Sequence, residues 1–91
     1  MDRKLKVFKA LSDETRLKIV YFLLDGEKCA CKIIPHINRA QSTVSLQMRK
    51  LENLGIVKSR REGKSVYYRI TNNDVVKVLD CLEGYKKKVA R

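Results

Sequence analysis

Gln41-Ser42-Thr43-Val44-Ser45-Leu46-Gln47-Met48-Arg49-Lys50-Leu51-Glu52-Asn53-Leu54-Gly55 is the most strongly patterned stretch of this 91-residue chain. Val44, Met48, Leu51 and Leu54 recur at helical spacing and make one narrow apolar stripe, and Gly55 stops it. The residues turned outward at its start, Gln41, Ser42, Thr43, Ser45 and Gln47, are hydrogen-bonding and mostly small, and Arg49 and Lys50 follow them. A helix with a buried seam and a polar leading edge is a reading head when a turn and a shorter helix stand before it.

Both neighbours fit that reading. Upstream, Ile33, Ile34 and Ile37 lie in a short segment beginning at Cys29, and Asn38-Arg39-Ala40 supplies the turn. Downstream, the β-prone runs Ile56–Arg61 and Ser65–Ile70 flank the Gly-containing tip Glu62-Gly63-Lys64, a hairpin. Before all this, Leu5, Phe8 and Leu11 predict a first helix. Ser12, followed by Asp13 and Glu14, predicts the cap of a second that runs to Asp25-Gly26. After the hairpin, Asn73 or Asp74 is the expected cap of a last helix with Val75, Val78, Leu79, Leu82, Tyr85 and Val89 on one stripe. The predicted order is ααααββα: a mainly α (α+β) winged helix-turn-helix, one domain over residues 1–91, its terminal helices forming a dimer interface. A chain this short buries a limited core, so the last helix, with Leu5 and Phe8, is expected to pair across a two-fold axis.

Charge points the same way. Lys and Arg outnumber Asp and Glu by 21 to 10, a formal net charge of +11. Residues 38–70 alone hold eight basic and two acidic side chains, so more than half of the surplus sits in about a third of the chain. Such concentration fits a polyanion footprint better than general solubility. Hydrophobic content of 44% is enough for a packed core. The longest apolar run, Ile19–Leu24, falls far short of the roughly 20 residues of a membrane span, and residues 1–11 lack a signal peptide's apolar block. The expected setting is the cytoplasm.

Amides, hydroxyls and Arg match the base edges of the DNA major groove. The expected DNA contacts are therefore Gln41, Ser42, Thr43, Ser45, Gln47, Arg49 and Lys50 on the helix, with Gln47 paired to adenine. Arg60, Arg61, Lys64 and Arg69 on the hairpin are expected on flanking phosphates. Two such helices in a dimer would stand about 34 Å apart, one turn of the duplex. An RNA-binding or protein-docking winged helix is the reading from another class; only Tyr67 and Tyr68 offer it a stacking platform. No nucleophile–base constellation and no phosphate-cradling Gly loop is present, so an enzyme is not expected.

The sequence resembles the ArsR/SmtB family of metal- and arsenic-responsive repressors over nearly its whole length. Leu11-Ser12-Asp13-Glu14-Thr15-Arg16-Leu17-Lys18-Ile19 is similar to the family's second-helix opening. Gln41-Ser42-Thr43-Val44-Ser45 with Met48, Leu51, Leu54 and Gly55 resembles its recognition helix, and Arg61-Glu62-Gly63-Lys64 through Tyr67-Tyr68 its wing. The resemblance implies a dimeric repressor that leaves its operator DNA when a ligand binds. Cys29-Ala30-Cys31 is similar to the family's Cys-x-Cys box, whose thiolates bind arsenite, antimonite or soft divalent metals. No constitutive cofactor is implied. In place of the third cysteine of some arsenic sensors stands Ile34, no cysteine precedes Cys29, and the last helix carries no His, only Asp74, Asp80 and Glu83.

Residues i and i+2 of a regular helix point about 200° apart, so Cys29 and Cys31 grip one ion only if the helix entrance is non-helical or unwinds. Pro35, which leaves the Cys31 carbonyl without its helical donor, favours unwinding. Ligand capture is then expected to distort the short helix and shift the recognition helix off the groove. The competing reading is thiol redox: a disulfide or persulfide on Cys29 and Cys31, or on one of them with Cys81, helped by Lys28 and Lys32. Cys81 is expected as a buried structural thiol beside the last stripe, with a third-ligand role as the lesser reading. His36 is expected to face a turn without a metal role.

Overall fold

A computed structural model describes residues 2–89, with backbone alone for residues 84–89. The chain runs α1 (Asp2–Leu11), α2 (Glu14–Leu23), β1 (Lys28–Cys29), α3 (Ala30–Ile37), α4 (Gln41–Asn53), β2 (Val57–Glu62), β3 (Ser65–Ile70) and α5 (Asn73–Val89). The predicted helices and hairpin are all present. The two-residue strand β1 was not expected: it stands where the sequence suggested the entrance of the third helix. It pairs antiparallel with β3, so the sheet has the order β1-β3-β2. A strand of two residues has no period to read, and only its partner makes it one.

The caps also differ from expectation by a residue. Asp13, not Ser12, caps α2: its carboxylate accepts the Arg16 backbone N–H at 3.0 Å. Ser12 instead donates its hydroxyl to the Lys9 carbonyl at 2.9 Å and closes α1. Asn72, not Asn73 or Asp74, caps α5, its side-chain oxygen accepting from the Asp74 and Val75 amides. In both cases a second polar residue adjacent to the expected one has the better reach to the orphan amides.

The core is one cluster. The α4 stripe of Val44, Met48 and Leu51 shares it with Ile19, Val20 and Leu23 of α2, Ile33 and Ile37 of α3, and Val75 and Leu79 of α5. α4 ends in a Schellman motif: the Gly55 amide donates to the Glu52 carbonyl and the Ile56 amide to that of Leu51. Gly55 holds φ +75°, a conformation that favours glycine, and Leu51 and Ile56 are both fully buried beneath the turn. At the hairpin tip only Gly63 of the two loop residues has positive φ, the pattern of a type II′ turn.

Beyond the core, Leu5, Phe8 and Leu82 are about half exposed or more. The last-helix stripe is thus buried only at Val75 and Leu79 and half-buried at Val78; the side chains of Tyr85 and Val89 lie outside the described residues. Among the described residues no helix is long and apolar enough to cross a membrane.

Candidate nucleic-acid interface and thiol site

The turn into α4 is set by Asn38, which takes the left-handed conformation (φ 60°, ψ 44°) that ends α3. Ala40 occupies the α4 N-cap position and offers no side-chain acceptor. The first-turn amides of α4 are therefore left for an outside acceptor, at the positive end of the helix dipole. Burying Val44, Met48 and Leu51 turns Gln41, Ser42, Thr43, Ser45, Arg49 and Lys50 outward, and all six are exposed. Leu46, not among the expected DNA contacts, shares that outward face at 50% exposure. Its angular position opposite the apolar stripe was the available signal. A large apolar side chain there suits a thymine methyl.

Gln47 departs from expectation. It is half-buried, and its side-chain oxygen accepts from Arg16 Nη1 at 2.7 Å. Arg16 Nη2 also donates to the Lys9 carbonyl at 2.9 Å, so one guanidinium ties α1, α2 and α4 together. Its Nε is buried without a partner among the described residues. Gln47 thus lies at the edge of the buried stripe rather than on the outer face, with its side-chain oxygen engaged inside the protein. Arg39 at the turn approaches Glu14 at 3.6 Å.

The wing divides its charges between two faces, because directly opposed residues share a side of the sheet. Ser59↔Tyr68 and Arg61↔Val66 lie on the side facing α4, where the Ser59 hydroxyl donates to Glu52 at 2.9 Å. Lys58↔Arg69 and Arg60↔Tyr67 lie on the other. Arg61, Lys64 and Arg69 are exposed and, among the described residues, have no ion-pair partner. Arg60, expected on a flanking phosphate, has partners within the protein. Its Nε and Nη2 donate to the two carboxylate oxygens of Glu27 at 3.0 and 2.8 Å, and its Nη1 donates to Glu62 at 2.8 Å. Its guanidinium also lies over the Tyr67 ring, 4.7 Å from the centroid. Hydrogen bonding from Arg60 lowers the Glu27 pKa, and the Glu27 and Glu62 carboxylates raise that of Arg60.

Cys29 is both the end of β1 and the N-cap of α3, with extended backbone (φ −70°, ψ 143°). Its sulfur accepts the Cys31 amide at 3.2 Å, and the two cysteines are joined as a disulfide with Cα atoms 5.1 Å apart. The helix entrance is thus already non-helical at Cys29, and no unwinding is needed to bring the sulfurs together. Cys29 is buried and Cys31 exposed. Lys28 turns away from them, to Asp25 and to the face of Phe22, whose ring stacks on His36 at 3.9 Å. His36 is therefore held against α2. Cys81 is a free, exposed thiol on α5, not the buried one expected. Two residues past buried Leu79, it is carried about 200° round the helix and away from the core. Among the described residues no three His, Cys, Asp or Glu side chains group as a metal site.

A helix presented by a turn, uncapped at its leading end and flanked by a basic hairpin, defines a winged helix-turn-helix DNA-binding protein. Comparison with known proteins makes this specific. The family described as bacterial regulatory protein, arsR family, matches residues 13–59. The cadmium resistance transcriptional regulatory protein CadC homolog of Staphylococcus aureus is 45% identical over 86 residues, which is 93% of this chain and 71% of that protein. The homodimeric winged helix-turn-helix domain Mb0332 of Mycobacterium bovis superposes with TM-score 0.83 at 30% identity, covering 98% of this chain and 82% of that one. The transcriptional repressor BigR of Xylella fastidiosa gives TM-score 0.83 at 31% identity over 89% of this chain and 83% of its own. The chain belongs to the arsR family: it is a DNA-binding transcriptional regulator and not an enzyme.

Proposed function

We propose that this protein is a homodimeric repressor that binds operator DNA in the cytoplasm and is released when a thiophilic ion occupies Cys29 and Cys31. The observation that carries the reading is the convergence of the two sulfurs at the entrance of α3, the helix leading into the turn before α4. Paired thiolates prefer arsenite, antimonite or soft divalent metals over hard ions, and the cadmium-resistance relative supports that class of inducer. Ser42, Thr43, Ser45, Arg49 and Lys50 face the major groove, with the Gln41 end of α4 on a phosphate. Arg61, Lys64 and Arg69 hold the flanking backbone. The exposed Leu5, Phe8 and Leu82 are the surface covered by a second copy, and the homodimeric Mb0332 domain supports it.

The test is titration of reduced protein with arsenite, cadmium or lead while operator binding and thiolate-to-metal absorption are followed together. Release with stoichiometric absorption is expected, and Cys29→Ser/Cys31→Ser abolishes both. Unchanged operator affinity in the ion-loaded protein overturns the reading.

The disulfide between Cys29 and Cys31 favours a second reading, redox release. Two thiols lose two protons and two electrons to form the S–S bond, and a peroxide takes them up to give water and an alcohol or a second water. Release by peroxide, reversed by dithiothreitol, with no response to ions, selects it.

A further inference from the structure

Glu27 and Arg60 span the whole sheet. β2, which carries Arg60, is the strand farthest from β1, and β3 lies between them. The bidentate pair crosses that middle strand directly above Tyr67. Tyr67 is also the residue paired with Cys29. Glu27 is two residues before Cys29, and in extended chain that spacing returns to the same face. One side of the sheet therefore carries a continuous chain: Cys29 beside Tyr67, Tyr67 beneath Arg60, and Arg60 held by Glu27 just ahead of the thiol strand.

We infer that Glu27, Tyr67 and Arg60 are positioning residues that transmit the state of the Cys29–Cys31 pair to the wing. Any ligand that changes the separation of the two sulfurs displaces β1 against β3, because Cys29 is a rung of that ladder. Glu27 moves with β1 and draws Arg60, and hence β2, with it. The path bypasses α4 and acts on the phosphate-holding hairpin. The inference rests on the reading that the two cysteines take a thiophilic ligand, and it adds the route by which that ligand is felt.

Hydrogen exchange on reduced, full-length protein tests it, with phenylarsine oxide as the probe. Both thiols add to its arsenic, and their protons leave with its oxygen as water, so loading is counted by mass as one phenylarsenic group per chain. In the wild type, loading is expected to shift exchange across residues 57–62 by about fivefold or more, the lower range of typical allosteric coupling. In Glu27→Gln, equally loaded, the shift over residues 57–62 falls to less than half of that on a logarithmic scale. Arg60→Gln behaves alike and guards against a peculiarity of one variant. A wing response of undiminished size in both variants overturns the inference, as does a loaded wild type whose wing does not respond, or a protein that takes up no arsenical. Operator affinity, measured on the same samples, is a separate readout. Release without a wing response leaves the proposed function standing and removes this route; a wing response without release does the reverse.

Discussion

Arg60 and Arg61 are neighbours in sequence with opposite commitments, and salt dependence separates them. Replacing Arg61 by Gln removes an exposed guanidinium with no internal partner among the described residues, on the α4 side of the wing. Replacing Arg60 by Gln removes one whose nitrogens are already bound to Glu27 and Glu62. Each phosphate neutralised on a duplex contributes about 0.9 to the slope of log affinity against log salt. A two-fold dimer loses two such contacts with Arg61→Gln, so its slope falls by about 1.8. Between about 50 and 200 mM salt that difference amounts to roughly a twelve-fold smaller loss of affinity than the wild type suffers. Arg60→Gln is expected to change the slope by less than half as much. Fluorescence anisotropy of a labelled duplex suffices, and because the effect is electrostatic the duplex need not carry the operator. Equal changes in slope for the two variants, or no change for Arg61→Gln, would refute the division of the wing into a contacting and an internally paired arginine.

Gln47→Ala is expected to cost about 1–3 kcal/mol of stability in urea unfolding, because it strips an acceptor from the half-buried Arg16 guanidinium. The ratio of specific to non-specific binding should stay unchanged, and a loss of base preference would return Gln47 to the reading face. Leu51→Ala empties a fully buried position under the recognition helix and is expected to cost about 2–5 kcal/mol by the same measurement. Glu27 has its pKa depressed below the ordinary 4.5 by its hydrogen bonds from Arg60. Its contribution to stability is therefore present above pH 4.5 and is lost as pH falls through the lower folded-state value. An acid titration of unfolding should be shallower below that point in Glu27→Gln, whereas an unaltered profile would discount the Arg60 pairing in solution.

The elements with a period were legible in the sequence. The stripe Val44–Met48–Leu51 located α4, and two β-prone runs around Gly63 located the hairpin, because local pattern and tertiary burial agree at both. The arsR family could be named from those same segments. What escaped is what depends on distant partners. β1 exists only because β3 lies beside it, and Cys29 is extended for that reason. The thiol geometry therefore looked harder from sequence than it is. Arg16 with Gln47, 31 positions apart, and Glu27 with Arg60, 33 apart, each give an internal partner to a side chain whose type alone suits contact with DNA. Composition counts such residues as available; only three-dimensional proximity shows them engaged.

The third strand flanks only Tyr67 and Tyr68 of β3. From there to the tip, Arg61, Glu62, Gly63, Lys64, Ser65 and Val66 form a bare two-stranded finger. Residues can be added or trimmed in that finger, two at a time to preserve the pleat, without disturbing the strand that carries Cys29. How far the hairpin reaches along a duplex is thus adjustable separately from the geometry of the thiols, and divergent descendants of one scaffold can differ in DNA reach while keeping the same Cys29 strand.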